Sequence, residues 1–283
     1  MKYNYIVVGA GVIGMTTARE IAKRGASVAV IDHQLFGNEA SKVAGGILSP
    51  MRPWIENRDS IILSEQAKIL YSDFTDNLKN ETGIDSEYIK SGLIIINKKH
   101  VQETKNWASK NEIQYSEKIN INYSKINIPK YSVLLPEIFQ VRPPLLLKAL
   151  HSSLKNIAVD LFENFIISNI SVNKEKFEYI KSDNDKKIFA DNIIFTTGSW
   201  SKFLLNYINK DVDVKPIRGQ IICVRSNNII TDKIILDDNY YYIPRLDGNI
   251  LLGSTMEDVG FSKETTDIAR SRLLDWGCSM IPE

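Results

Sequence analysis

Three glycines, in Gly9-Ala10-Gly11-Val12-Ile13-Gly14, follow the apolar run Tyr5-Ile6-Val7-Val8 and open a helical pattern. Asp32 comes 18 positions after Gly14, at the end of a second apolar run, Val28-Ala29-Val30-Ile31. Strand, glycine turn, helix, strand and acid in this order form a dinucleotide-binding fingerprint. Gly9 permits a tight turn, Gly11 lets backbone approach a pyrophosphate, and Gly14 lets the helix lie close to the strand. The N–H groups around Val12 and Ile13, with the helix dipole, favour phosphate. Asp32 suits the ribose hydroxyls of an adenosine and disfavours a 2′-phosphate, so NAD or FAD is favoured over NADP.

Further along, Ala40-Ser41 and Ala44-Gly45-Gly46-Ile47-Leu48 are built of small residues. Such a stretch suits the approach of a large planar ring and suits close helix packing equally well. Tyr241, in the run Tyr240-Tyr241-Tyr242, reads by itself as a residue of a half-exposed strand. Met256 reads as a gap-filling core methionine, and Cys223 as a core residue of a strand. Trp200 reads as a packing residue at a helix start. Arg245 follows a proline at a strand end and reads as structural, whereas Arg142 and Arg218 suit a site or the surface equally. No nucleophile–base pair, histidine cluster or CxxC is present, so neither a catalytic triad nor a metal site is expected.

The elements that must position these residues follow from pattern. A helix ends at Gly25. Residues 37–53 read as an irregular loop or short helix. A long helix from Asp59 or Ser60 to about Glu81 carries the stripe Leu63, Ala67, Leu70, Phe74 and Leu78. Leu93–Ile96 is a strand, 101–110 a helix, and 113–135 irregular. Pro143 and Pro144 occupy the first turn of another helix. Strands follow at 159–162, 166–172, 177–180, 193–196, 221–224, 240–243 and 250–252, the last two joined through Asp247-Gly248-Asn249. A final helix covers about 265–277.

The 283 residues are 43% hydrophobic, with 35 Lys+Arg against 34 Asp+Glu and a net charge of +1. A chain near 300 residues can bury roughly three-quarters of its unfolded surface. The balanced charge argues against a nucleic-acid partner, which calls for a basic excess. No run approaches the ~20 apolar residues of a membrane span, and the N-terminus lacks a signal-peptide pattern. The expectation is a cytoplasmic protein with no membrane partner.

Several later blocks, taken in order, are more specific than the first. They are Gly45-Gly46-Ile47-Leu48-Ser49-Pro50, Gln140-Val141-Arg142-Pro143, Thr197-Gly198-Ser199-Trp200-Ser201, Pro216-Ile217-Arg218-Gly219-Gln220, Tyr241-Tyr242-Ile243-Pro244-Arg245 and Gly253-Ser254-Thr255-Met256. With the glycine motif, they resemble the FAD-dependent amine oxidases of the D-amino acid oxidase group, and within it the glycine oxidase branch that serves thiazole formation for thiamine. The resemblance covers essentially the whole chain. It implies non-covalent FAD, with Gly9, Gly11, Val12, Ile13 and Gly14 at the pyrophosphate and Asp32 and His33 at the adenosine. It implies Ala40 and Ser41 near phosphate, and Gly45, Gly46 and Ile47 beside the flavin ring. Ile167 falls on the adenine side, and Thr197 and Gly198 close over the cofactor. Tyr241, Met256 and Ile47 line the substrate pocket.

The resemblance further implies a split Rossmann-type FAD-binding domain (1–82 and 140–213) interleaved with an antiparallel-sheet substrate domain (83–139 and 214–283). Its partners would be a small amino acid or amine and molecular oxygen, in a homo-oligomer; no protein side chain would be catalytic, because the flavin carries the chemistry. Family members continue past the position of Pro282 into a Gly-Leu-Arg-Pro loop, whose arginine holds the substrate carboxylate, and then a glycine-rich turn. The sequence stops at Glu283. Two expectations follow: an active oxidase, or a truncated, inactive or partner-dependent FAD-binding fragment. An NAD-linked dehydrogenase and a tRNA-modifying FAD oxidase are disfavoured by the later blocks and by the net charge.

Overall fold

The computed structural model describes residues 2–48, 58–121, 125–174, 176–226 and 230–281. The chain forms two compact units and passes repeatedly between them. The first comprises Met1–Ala44, Asp73–Ser86 and Arg142–Pro216; the second comprises Gly45–Ser72, Glu87–Val141 and Ile217–Glu283.

The first unit is built on a six-stranded sheet. In spatial order its strands are Asp160–Phe162, Val28–Ile31, Lys2–Val8, Lys187–Phe195, Lys176–Ser182 and Ile167–Asn173. The first four run parallel, with Val8 opposite both Ile31 and Phe195. The fifth runs antiparallel to the fourth, and the sixth antiparallel to the fifth. Val28–Ile31 is buried at every residue, as a parallel strand covered on both faces must be. The helices Val12–Lys23 and Pro143–Asn156 bury Met15 and Ala18 of the one and Leu146, Leu150 and Leu154 of the other. Pro143 opens its helix at the first turn, where a missing N–H costs nothing. Gly25 ends the first helix at φ +89°.

Glu81 ties three segments of this unit together. It accepts both Nη2 bonds of the buried Arg19 (2.8 and 2.9 Å), one from Lys23 Nζ (2.6 Å) and one from Ser153 Oγ (2.8 Å). Burial alone would raise its pKa, but the bonds from Lys23, Arg19 and Ser153 win and hold it at about 2.

The second unit carries a six-stranded sheet ordered Ile221–Arg225, Asn249–Gly253, Tyr240–Pro244, Ile234–Asp237, Leu93–Ile95 and Val133–Leu135. All pairs are antiparallel except Ile234–Asp237 with Leu93–Ile95. Side chains alternate between faces. Leu93, Ile95, Leu236, Tyr241 and Ile243 pack in one cluster, and Ile94, Ile235, Tyr242, Leu252 and Met280 in another. The helix Asp267–Met280 covers the latter, with Gly277 so close to Leu252 that a Cβ there would lie 2.4 Å from Leu252 Cδ1. Short strands Ile47–Leu48, Phe139–Gln140 and Ile89–Lys90 form a separate sheet.

Several expectations change. Residues 45–72 belong with the second unit, because Ile47 and Leu48 pair with Gln140 and Phe139. The stripe of the long helix, Arg58–Thr82, buries Leu78 completely, but Leu63 and Leu70 are exposed. Spacing identified the helix without revealing which turns find a partner. Ile234–Asp237, a fully internal strand, is missing from the pattern reading, because three apolar residues are too short a run to show a period. Cys223 is exposed rather than core, since its strand is the edge of the sheet. Met256 is 77% exposed and fills no gap. Among the described residues no helix is long and apolar enough to cross a membrane.

Candidate functional site

In the first unit the glycine turn leaves no room for side chains. Gly9 has φ +99°, and a Cβ there would lie 2.6 Å from the Thr196 carbonyl oxygen. A Cβ on Gly14 would lie 1.8 Å from the Gly9 carbonyl oxygen, inside any possible contact. Thr196 Oγ1 reaches the Val8 and Gly9 carbonyls at 2.9 and 2.8 Å and binds the turn to the neighbouring strand. Gly11 precedes the helix Val12–Lys23 without a capping side chain; the Val12 N–H instead donates to Ser41 Oγ at 3.0 Å.

Asp32 holds this turn from the other side. Its Oδ2 accepts the Ala10 N–H at 2.7 Å, and its Oδ1 accepts the Gln34 N–H at 3.0 Å. His33 Nδ1 lies 3.0 Å from the same Oδ1, and the His33 ring is 5.0 Å from that of Trp200. A carboxylate has about four acceptor positions, so capacity for ribose hydroxyls remains.

These groups border a cavity of about 530 Å³, within the few-hundred-Å³ range of cofactor sites. Gly9, Gly11, Asp32, His33, Ala40, Ser41, Ile167, Thr197 and Gly198 all line it. Val12, Ile13 and Gly14 continue from the turn into the helix without forming its wall; Ile13 is exposed. Phe165, Ile166, Trp200, Phe203 and Leu204 supply an apolar side that pattern reading did not assign. Phe203 is exposed despite its apolar ring, which nothing in the sequence signalled. A side-chain-free cradle at a helix start, a carboxylate and an apolar wall fit the pyrophosphate, ribose and adenine of a dinucleotide.

The remaining predicted residues belong to the second unit. The Tyr241 ring lies between two glycines: a Cβ on Gly253 would come within 2.8 Å of it, and one on Gly45 within 3.7 Å. Tyr241 is buried rather than half-exposed. Burial raises its phenol pKa, opposed by a hydrogen bond with Ser254 and by the charge of Arg245. Ile47 packs on the cluster containing Tyr241 and Ile243. Gly46 has φ +74°. Met256 is held at no comparable contact and is open to solvent.

Arg218 is bound to Glu257 and donates to the Glu264 carbonyl at 2.7 Å. The bonds from Arg218, Thr255 and Gln220 hold the Glu257 carboxyl at about 2. Arg218 therefore fastens the segment containing Met256. Arg245 likewise donates to protein oxygens, Gln140 Oε1 and the Val141 and Gly45 carbonyls. Arg142 immediately precedes the helix Pro143–Asn156. Ser49, Pro50 and Arg52 lie outside the described residues.

Comparison with known proteins adds the following. The family profile described as "DAO: FAD dependent oxidoreductase" matches residues 4–283. A glycine oxidase of Pseudomonas aeruginosa is 31% identical over 290 aligned residues, covering 100% of this chain and 79% of that protein. A bifunctional protein ThiO/ThiG of Trichormus variabilis is 25% identical over 307, covering 100% of this chain and 44% of the other. The crystal structure of a glycine oxidase from Bacillus cereus superposes with TM-score 0.91 at 24% identity, covering 99% of this chain and 78% of that one. That last likeness establishes the fold.

Proposed function

Because the chain belongs to the DAO family of FAD-dependent oxidoreductases, we propose that it oxidises glycine and other small amines to an imine, with hydrogen peroxide as the second product. The observation that carries this reading is the 31% identity to a glycine oxidase along the whole of this chain. The likeness to ThiO/ThiG proteins supports use of the imine in thiazole formation for thiamine.

In this reading the turn at Gly9, Gly11, Val12, Ile13 and Gly14 holds the pyrophosphate. Asp32 and His33 hold the ribose, Ala40 and Ser41 meet a phosphate, Ile167 meets adenine, and Thr197 and Gly198 close the site. Gly45, Gly46 and Ile47 present backbone and one apolar side chain to the flavin ring. Bound there, FAD would supply the hydride-accepting and oxygen-reducing chemistry. Tyr241, a phenol that burial pushes above its ordinary pKa, donates its O–H to the substrate carboxylate. Ile47 and Met256 limit the space beside the α-carbon. These residues bind and orient, which is where such a site gains much of its rate; where the amine binds in its neutral form, its proton already given to solvent, its own lone pair assists loss of the α-hydrogen as hydride, so no protein base is required.

The test is the visible absorption of the FAD-loaded chain, mixed anaerobically with glycine. The expected result is bleaching of the flavin band, and hydrogen peroxide in equal amount once oxygen is admitted. Bound flavin that stays oxidised in excess glycine and in other small amines would overturn the reading.

A further inference from the structure

The side chain of Arg245 joins three oxygens from two separate stretches of the second unit. Nη1 donates to Gln140 Oε1 at 2.7 Å and to the Val141 carbonyl at 2.9 Å, and Nη2 donates to the Gly45 carbonyl at 2.7 Å. Arginine can only donate, so the Gln140 amide must turn its oxygen toward it. The amide nitrogen then donates to Ser91 Oγ at 2.6 Å and to the Pro244 carbonyl at 3.1 Å. Gln140 is buried, and its amide is engaged at both ends. Gly45-Gly46 has no side chain with which to anchor itself. Its backbone is held from outside: Gly45 by Arg245, Gly46 by the Val141 N–H at 2.9 Å, and Ile47 by pairing with Gln140. On its other side Gly45 abuts Ile243, whose Cδ1 would lie 2.8 Å from a Cβ at that position.

We propose that Arg245, oriented by Gln140, is a positioning residue that sets the Gly45–Ile47 backbone against the Tyr241 ring, and that it does not bind the substrate carboxylate. This rests on the reading above only in making that backbone the flavin's neighbour. Three of the five donors of Arg245 are directed at protein oxygens, the Gln140 amide and the Val141 and Gly45 carbonyls. Lysine cannot replace it, because one ammonium cannot present the planar fork that reaches three fixed oxygens.

The test compares Arg245→Lys and the more disruptive Arg245→Met with the parent chain by amide hydrogen exchange and by anaerobic stopped-flow reduction with glycine. In Arg245→Lys, exchange in a peptide spanning 44–48 is expected to quicken by about tenfold. The flavin band is expected to shift, and the limiting rate of reduction to fall roughly tenfold while the glycine half-saturation stays within about threefold. If Arg245→Met does not fold, Arg245→Lys carries the test. Unchanged exchange at 44–48 would overturn the proposal. So would a raised half-saturation with the limiting rate retained, because that is the signature of a lost carboxylate ligand. If glycine fails to reduce the parent chain, the glycine oxidase reading falls, and the exchange measurement still decides the clamp.

Discussion

The two units handle glycine in opposite ways. In the first, Gly9, Gly11 and Gly14 are near neighbours in sequence and form one local turn, closed by Thr196 and Asp32. In the second, Gly45 and Gly253 are more than 200 positions apart and make room for a single ring, that of Tyr241. The first arrangement encloses a backbone cradle. The second lets backbone approach an aromatic side chain and leaves the Gly45 carbonyl to be held by Arg245. Absence of a side chain thus shapes a local backbone turn in one unit and makes room for a polar aromatic in the other. The first is a property of a motif, and the second exists only after folding.

The most severe way to break this comparison is Gly14→Ala. Its Cβ would need the 1.8 Å now separating that position from the Gly9 carbonyl oxygen, and this neighbour is backbone that no side-chain rotation can move aside. The expected outcome is a loss above about 4 kcal/mol, or a folded product without flavin. Denaturant unfolding and the flavin-to-protein absorbance ratio would report it. Retention of flavin at parental stability would refute the cradle geometry.

Acid stability compares the units directly, because each contains a carboxylate whose pKa is held at about 2, Glu81 in the first and Glu257 in the second. A carboxylate depressed in the folded state stabilises above its unfolded pKa, near 4.5. That stability is lost as pH falls from there toward about 2. Glu81→Gln should therefore flatten the acid limb of the stability curve below pH 4.5. At neutral pH it should cost roughly 2–3 kcal/mol, because the buried Arg19 is left with Glu20 as its one remaining carboxylate partner among the described residues. Glu257→Gln should flatten the same limb with a smaller loss, because Arg218 keeps its bond to the Glu264 carbonyl. Urea titrations across pH would show both, and parallel acid limbs for parent and variants would contradict the assignment.

Smaller effects sharpen the reading of the second unit. Tyr241→Phe keeps the ring between its glycines and removes only the hydroxyl. The glycine half-saturation should rise about tenfold with the limiting rate nearly kept, the pattern of a lost binding contact. Met256→Ala, at an exposed position, should change stability by less than about 0.5 kcal/mol. A large destabilisation there would restore the core role that its residue type suggested.

Local features were legible in the sequence. The contact of Asp32 with the glycine turn, the proline-initiated helix and the hairpin through Gly248 all rest on contacts within a few dozen residues, and the covered strand Val28–Ile31 shows as a continuous apolar run. The apolar wall of the cavity was not legible. Phe165, Trp200 and Phe203 come from segments whose apolar residues look like ordinary core until the sheet order brings them beside Gly9 and Ser41. Nor was the fate of the long helix: Leu63 and Leu78 obey one period, yet Leu63 is exposed and Leu78 fully buried.

Backbone constraint and short-range hydrogen bonding are encoded residue by residue, so the sequence alone specifies where the chain must turn, where it can approach a phosphate, and which strands are covered on both faces. Which distant segments supply the opposite wall is a matter of tertiary structure. Arg245 illustrates this. From its neighbours it is one cation after a proline. Only pairing of Ile47 with Gln140, and of Pro244 with Ile250, brings Gly45, Gln140 and Val141 within reach of its guanidinium. An arginine takes its role from the acceptors it meets, and those are chosen by strand order rather than by adjacency in the chain.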